Sequence, residues 1–276
     1  MQTLYDVIAF HPHYDVWALI AALTGGYFLA IKRIGPLKVP NGAQVVSRRQ
    51  VQLFSGGLLL MWIVSDWPFH DIGENSMFTF HMIEHLVIAL GVAPMLLMGI
   101  PKWMGQLILD FPLLARLVKI MSHPAVAFVL FNLTLAAIHW PVVVTAMVTI
   151  PVVHFGVHAS LFVTGLLLWM PILSPLPEIL KISRPAQIMY LFANSLIPTI
   201  PSAFLIFGVT PLYSTYRDTP KLWGWDAMTD QAVAGTIMKL GGGFLLWAVI
   251  TAISIRWYAE QKAWDQLEAE LRFASE

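Results

Sequence analysis

The sequence predicts an all-α membrane protein, a bundle of seven transmembrane helices with the N-terminus outside and the C-terminus cytoplasmic. Three observations predict it. Of 276 residues, 58% are hydrophobic and only 12% charged, with a mean hydropathy of +0.70, whereas a soluble domain carries about a quarter charged residues. Apolar windows of about 20 residues, the length a helix needs to cross the hydrocarbon layer, recur seven times. Lysine and arginine gather in alternate loops, as they do on the cytoplasmic side of membrane proteins.

In chain order the windows fall at 15–33, 51–68, 77–99, 123–143, 152–173, 187–209 and 230–256. The connections are short and rich in turn residues: IGPLKVPNG, WPFHDIGENS, SPLPE and SRPA. Residues 1–256 therefore form one domain, and without an internal repeat an inverted-repeat transporter has no support. The first loop carries Lys32, Arg33, Lys38, Arg48 and Arg49, the third Lys102, Arg116 and Lys119, the fifth Lys181 and Arg184, and the tail Arg256, Lys262 and Arg272. The opposite loops hold only Arg217 and Lys221. That asymmetry sets the orientation, and an odd number of spans agrees with it. The opening segment MQTLYDVIAFHPHYD lacks a basic region ahead of an apolar core and does not read as a cleaved signal peptide. Residues 257–276 read as a charged cytoplasmic amphipathic helix. Tryptophans such as Trp62, Trp67, Trp140 and Trp169 fall near span ends, as in an interfacial belt.

Net charge is zero and cysteine is absent. No basic surface points to nucleic acid, and disulfides and thiolate metal sites are excluded. Histidine, methionine, carboxylates and tyrosine are the remaining ligand types. The histidines are concentrated. Span three enters from outside and carries His81 and His85 within its first two turns; four residues is one turn plus about 40°, so both imidazoles share a face. Met77 extends that stripe outward and Glu84 borders it. Span five repeats the spacing with His154 and His158, and span four, running the other way, brings His139 to the same outer end. Five histidines from three helices meet in one shallow layer, and ionisable groups inside a span generally mark function. The layer suits a metal or haem site rather than a purely structural polar network. Glu84 can ligate, orient an imidazole or accept a proton; its angular position beside the pair favours orienting. Asp230, at the outer start of span seven, is either the cap of that helix or a contact of the metal site. Lys239 either pairs with Glu84 or another buried acid or snorkels toward the outer surface, Gly241 to Gly243 allow close helix contact or a kink, and Pro198 and Pro201 bend span six.

Three rival readings use the same histidines: a haem protein with two axial imidazoles, a metal-dependent membrane enzyme, and a channel. No nucleophile or cofactor motif specifies a reaction, and the polar residues gather at one side instead of tracing a path across the membrane.

The segments FHMIEHLVIALGVAPMLLMGIP, AAIHWPVVV, HFGVHASLFVTGLLLWMPIL, the double-proline span, PLYSTY and TDQAVAGTIM together resemble the CtaG family of cytochrome c oxidase assembly factors, from about residue 60 to 256. The resemblance implies a multi-pass protein of the bacterial cytoplasmic (inner) membrane that is not an enzyme. It implies a metallochaperone assisting copper to the oxidase subunit with the haem-copper centre, with an extracytoplasmic copper donor upstream. By position, the family's motif residues are His81, Glu84, His85, His139, His154, His158, Asp230 and Gln231. In one departure, many members place a carboxylate just before the last of these histidines, where this chain has Val157.

Overall fold

In the computed structural model, which describes residues 9–176, 178–179 and 181–275, every regular element among the described residues is helical. Residues 1–8, which open the segment read above as lacking a signal, lie outside them. The elements are α1 (Tyr14–Lys38), α2 (Arg48–Ser65), α3 (Phe69–Asn75), α4 (Phe78–Gly99), α5 (Lys102–Leu109), α6 (Pro112–Met121) and α7 (Pro124–Ile138). There follow α8 (Pro141–Thr149), α9 (Pro151–Leu173), α10 (Arg184–Phe207) and α11 (Ser214–Arg217). The last helix, α12, opens as Ala227–Thr236, passes through a π turn at Ile237–Gly241 and continues as Gly242–Ser275.

Local chemistry sets the starts. Proline occupies the first turn of α6, α7, α8 and α9, where its missing N–H is no loss because that donor has no intrahelical acceptor. Before α2, Ser47 Oγ accepts from Gln50 N at 3.2 Å while Gln50 Oε1 accepts from Ser47 N at 3.0 Å, a reciprocal capping box.

Five helices, α1, α4, α9, α10 and α12, are long and apolar enough to cross a membrane, and α6 with α7 make a sixth if their 76° bend is one broken span. The chain is a multi-pass membrane protein. Two expected spans depart from their windows, the first shifted three residues toward the N-terminus and the second shortened. The window at 51–68 is the 18-residue α2, whose first turn is Arg48, Arg49 and Gln50. The window at 123–143 yields the 15-residue α7, because the chain turns at His139 and Trp140 before Pro141 starts α8. The tail is the continuation of α12, and its side chains from Tyr258 to Arg272 are exposed. Large apolar side chains face outward from α2, α9, α10 and α12, among them Leu59, Phe155, Phe204, Phe244 and Trp247. Such a surface is an aggregation hazard in water and well solvated by lipid.

Helix α4 lies at the centre, with α2, α9 and α12 packed around it. At its far end Tyr27 stacks on Phe54 with ring centroids 3.8 Å apart and donates its hydroxyl to Gly99 O at 2.9 Å. Its middle contains a π turn, Val87–Val92, which interrupts the regular i→i−4 ladder. There Trp169 Nε1 donates to Ala89 O at 3.0 Å. Replacing Trp169 with Phe keeps a ring and deletes that donor in a region without water; thermal unfolding in detergent is expected to show roughly 1–3 kcal/mol of lost stability.

The proline-rich helix α10 breaks between Leu196 and Thr199. Lys239 donates to Ser195 O at 3.3 Å and to Thr199 Oγ1 at this break. It therefore serves a carbonyl released at the kink, and the expected partnership with Glu84 does not form. Gly241 and Gly242 face Leu86 of α4, as close contact between α12 and α4 requires.

Candidate metal centre

The first turns of α4 hold His81 and His85, and the matching turns of α9 hold His154 and His158, all with their rings in one cluster. Ring centroids are 4.0 Å apart for His81 and His85, 5.2 Å for His85 and His158, 5.9 Å for His81 and His158, and 4.7 Å for His154 and His158. Ligand atoms of His81, His85 and His158 all lie within 4.8 Å of one another. A second such group joins His154 to His70 and Glu74.

His70 and Glu74 come from α3, a helix of 7 residues lying across the start of α4. Gly73 makes that crossing possible: a Cβ there would stand 3.0 Å from His81 N and 3.2 Å from His81 Cα. Tyr216 Oη donates to Gly73 O at 2.9 Å and ties α3 to the start of α4, where its ring packs on Phe78. Gly73→Val must push α3 off the α4 backbone. We expect a loss of roughly 1–3 kcal/mol from overpacking, measured by thermal unfolding.

Two carboxylates thread the cluster. Glu84 is fully buried; its Oε2 accepts from His70 Nδ1 at 2.9 Å and its Oε1 lies 3.6 Å from His158 Nδ1. Glu74 stands 3.3 Å from both His81 Nδ1 and His154 Nδ1, through Oε1 and Oε2 respectively. In α3, outside the spans, burial disfavours ionisation of Glu74, yet His154 and His81 hold its carboxyl well below the usual carboxylate range. Burial alone would lower His70, but the carboxylates of Glu84, Glu74 and Asp71 outweigh it and raise the imidazole to about 9.

Several buried polar atoms of the cluster have no hydrogen-bond partner: both ring nitrogens of His85, Nε2 of His158, Nδ1 of His81 and one oxygen each of Glu74 and Glu84. A buried polar group without a partner is destabilising by about 1–3 kcal/mol. Concentrated in one place and of one chemical type, such atoms are what a metal ion would satisfy.

The start of α4 is itself held by α12. Asp230 accepts from Phe78 N at 2.8 Å and from Thr79 N at 3.0 Å, two of the free donors of α4's first turn, and pairs with Lys221 Nζ at 3.2 Å. The N-cap of α12 is Asp226, whose side chain accepts from Thr229 N at 2.6 Å. Thus Asp230 caps a helix, but it is the histidine-bearing one.

The arrangement joins a motif-bearing α4 and α9 to a cap on α12, the same segments that carry the resemblance noted above. A profile of the family described as cytochrome c oxidase caa3 assembly factor (Caa3_CtaG) matches residues 3–260. The chain belongs to this family. No protein of curated function and no solved structure matches it. Membership makes it one of a family of cytochrome c oxidase assembly factors, with the oxidase as partner.

The structure brings the family's motif residues together unequally. His81, His85 and His158 form the tight group, and His154 sides with α3. His139 lies beyond both groups: its ring is 6.4 Å from that of His85, and its Nδ1 donates to Leu135 O at 2.6 Å, which leaves Nε2 for any other partner. Gln231 is engaged elsewhere, accepting from Leu212 N at 2.6 Å and donating to Leu205 O at 3.1 Å, so it fastens the loop before α11 to α12 and α10. Met77 is fully buried at the N-cap of α4, one turn before His81. Val157 is buried too; acids face the α9 histidines from α3 and α4 instead of from the adjacent position. His70 and Glu74 belong to the segment WPFHDIGENS, read above only as a turn-rich connection. Their four-residue spacing is a helical signal that the turn-rich surroundings obscured.

Proposed function

We propose that the chain binds copper between His81, His85 and His158 and passes it to the oxidase subunit that carries the haem-copper centre. The observation that carries this reading is the set of buried ring nitrogens without partners in a group whose ligand atoms lie within 4.8 Å of one another. His139 and His154 flank the group as receiving or supporting imidazoles. Copper is cargo here, and three imidazoles without cysteine bind it while still permitting release. Family membership supplies the recipient, and an extracytoplasmic copper protein would supply the ion.

The same reading sets the protein in the bacterial cytoplasmic membrane with seven spans. The six candidate crossings, counting the bent α6–α7 pair once, are joined by α2, which lies against α4 and α1. The basic loops then fall on the cytoplasmic side and the histidines toward the exterior. The test is metal binding by the full-length protein, purified in detergent under anaerobic conditions and titrated with Cu(I). Wild type is expected to bind copper, and cells with His85→Leu to assemble oxidase deficient in copper. A wild-type protein that takes up no Cu(I) overturns the proposal.

A further inference from the structure

We infer that the histidine layer holds two copper centres rather than one, the second formed by His70, Glu74 and His154, with Glu74 and Glu84 linking the pair. The inference rests on the copper reading of the first group. It begins from geometry: the ligand atoms of His70, Glu74 and His154 also lie within 4.8 Å of one another, and these residues share no member with the group of His81, His85 and His158.

The carboxylates are distributed between the groups in a regular way. Glu74 approaches His81 of the first and His154 of the second, each at 3.3 Å. Glu84 approaches His158 of the first at 3.6 Å and His70 of the second at 2.9 Å. Each acid therefore touches one imidazole from each group. A polar network serving only to hold helices together would close its contacts as hydrogen bonds, yet Glu74 Oε1 and Glu84 Oε1, at 3.3 Å from His81 Nδ1 and 3.6 Å from His158 Nδ1, are buried without one. Carboxylates shared between two sets of imidazoles match the bridging position between neighbouring cations.

Access differs between the centres. A cavity of about 550 Å³ is lined by His70, Glu74 and His154 and by Glu84 and His158. His81 and His85 do not line it. An ion arriving through this cavity meets all three members of the second group but only His158 of the first. The second group contains a carboxylate, whose negative charge compensates a cation leaving water. The inner group is all imidazole, a softer donor set that retains copper in preference to hard cations. His154 and His158 stack with centroids 4.7 Å apart, so adjacent turns of α9 carry one ligand of each centre and the ion's transfer is short. The outer centre captures and the inner one stores.

Anaerobic titration of the full-length protein in detergent with Cu(I), against a competing chromophoric chelator, reads both number and affinity. Wild type is expected to bind two ions per chain with distinct affinities. His70→Asn, which keeps a donor for Glu84, should lose the weaker ion and keep the tighter one; His85→Leu should lose the tighter and keep the weaker. His154→Gln, from a different helix, gives the same loss as His70→Asn and replaces it if that variant fails to fold. One ion in wild type, unchanged by His70→Asn and His154→Gln, overturns the second centre and leaves the proposed function standing. Loss of all copper in every variant also overturns it, since that is one site with shared ligands. No copper in wild type removes both readings.

Discussion

His85→Leu is expected to lower copper affinity roughly 100-fold or more while leaving the copper-free protein as stable as wild type or more stable. The two halves of that result come from one fact. Both ring nitrogens of His85 are buried and neither has a hydrogen-bond partner. Truncating a residue that holds a network normally destabilises, because its partners are orphaned; here no partner exists to orphan. A leucine of similar bulk fills the space and removes two unsatisfied polar atoms, each destabilising by about 1–3 kcal/mol. Affinity moves the other way, since only two imidazoles remain, and disturbing even the surroundings of a metal site weakens binding by about 10–100-fold. Thermal unfolding with and without Cu(I) separates the effects: copper should raise the wild-type midpoint through preferential binding to the folded state and raise the variant's far less. A variant that loses stability without copper and keeps its copper-dependent rise would make His85 a packing residue.

Helical periodicity made the two histidine pairs legible in the sequence. A four-residue interval says the same thing about His81 and His85 wherever the helix lies, and the depth of each pair followed from the run of apolar residues around it. The helix α3 was not legible for the opposite reason. Seven residues in the segment WPFHDIGENS have the composition of a turn, and their helical form is stabilised by tertiary contact, with Gly73 against the His81 backbone and Tyr216 on the Gly73 carbonyl. Because α3 supplies His70 and Glu74, two of the three members of the second ligand group were invisible to local reasoning. Asp230 shows a subtler limit. A carboxylate near a helix start reads as that helix's cap, but Asp226 already fills that position, and the free donors that Asp230 reaches belong to residues 78 and 79. Nothing local links α12 to the start of α4. His139 stands beside the ring of His85, but its Nδ1 is held by the carbonyl of Leu135, an acceptor available because α7 ends there, a contact that no spacing in the sequence announces.

Asp230→Ala should be the most destabilising single substitution considered, by about 3–5 kcal/mol, the range for breaking a buried ion pair from one side. The carboxylate is 1% exposed and faces Lys221, whose side chain is 5% exposed. Removing it leaves an ammonium held among Ser76 O, Thr219 Oγ1 and the face of Tyr216 with no counter-charge. It also strips two backbone donors at the start of α4 of their acceptor, and unpaired donors at a helix end promote fraying of its first turn. His81 lies on the next turn, so copper affinity should fall along with stability, although Asp230 touches no candidate ligand. The double variant Asp230→Ala/Lys221→Met distinguishes the two contributions. It removes the stranded charge but not the missing cap, so stability should recover in part and copper affinity should remain impaired. If the double variant recovers neither, the ion pair is not what Asp230 contributes. If it recovers full copper affinity, the cap on α4 does not position His81.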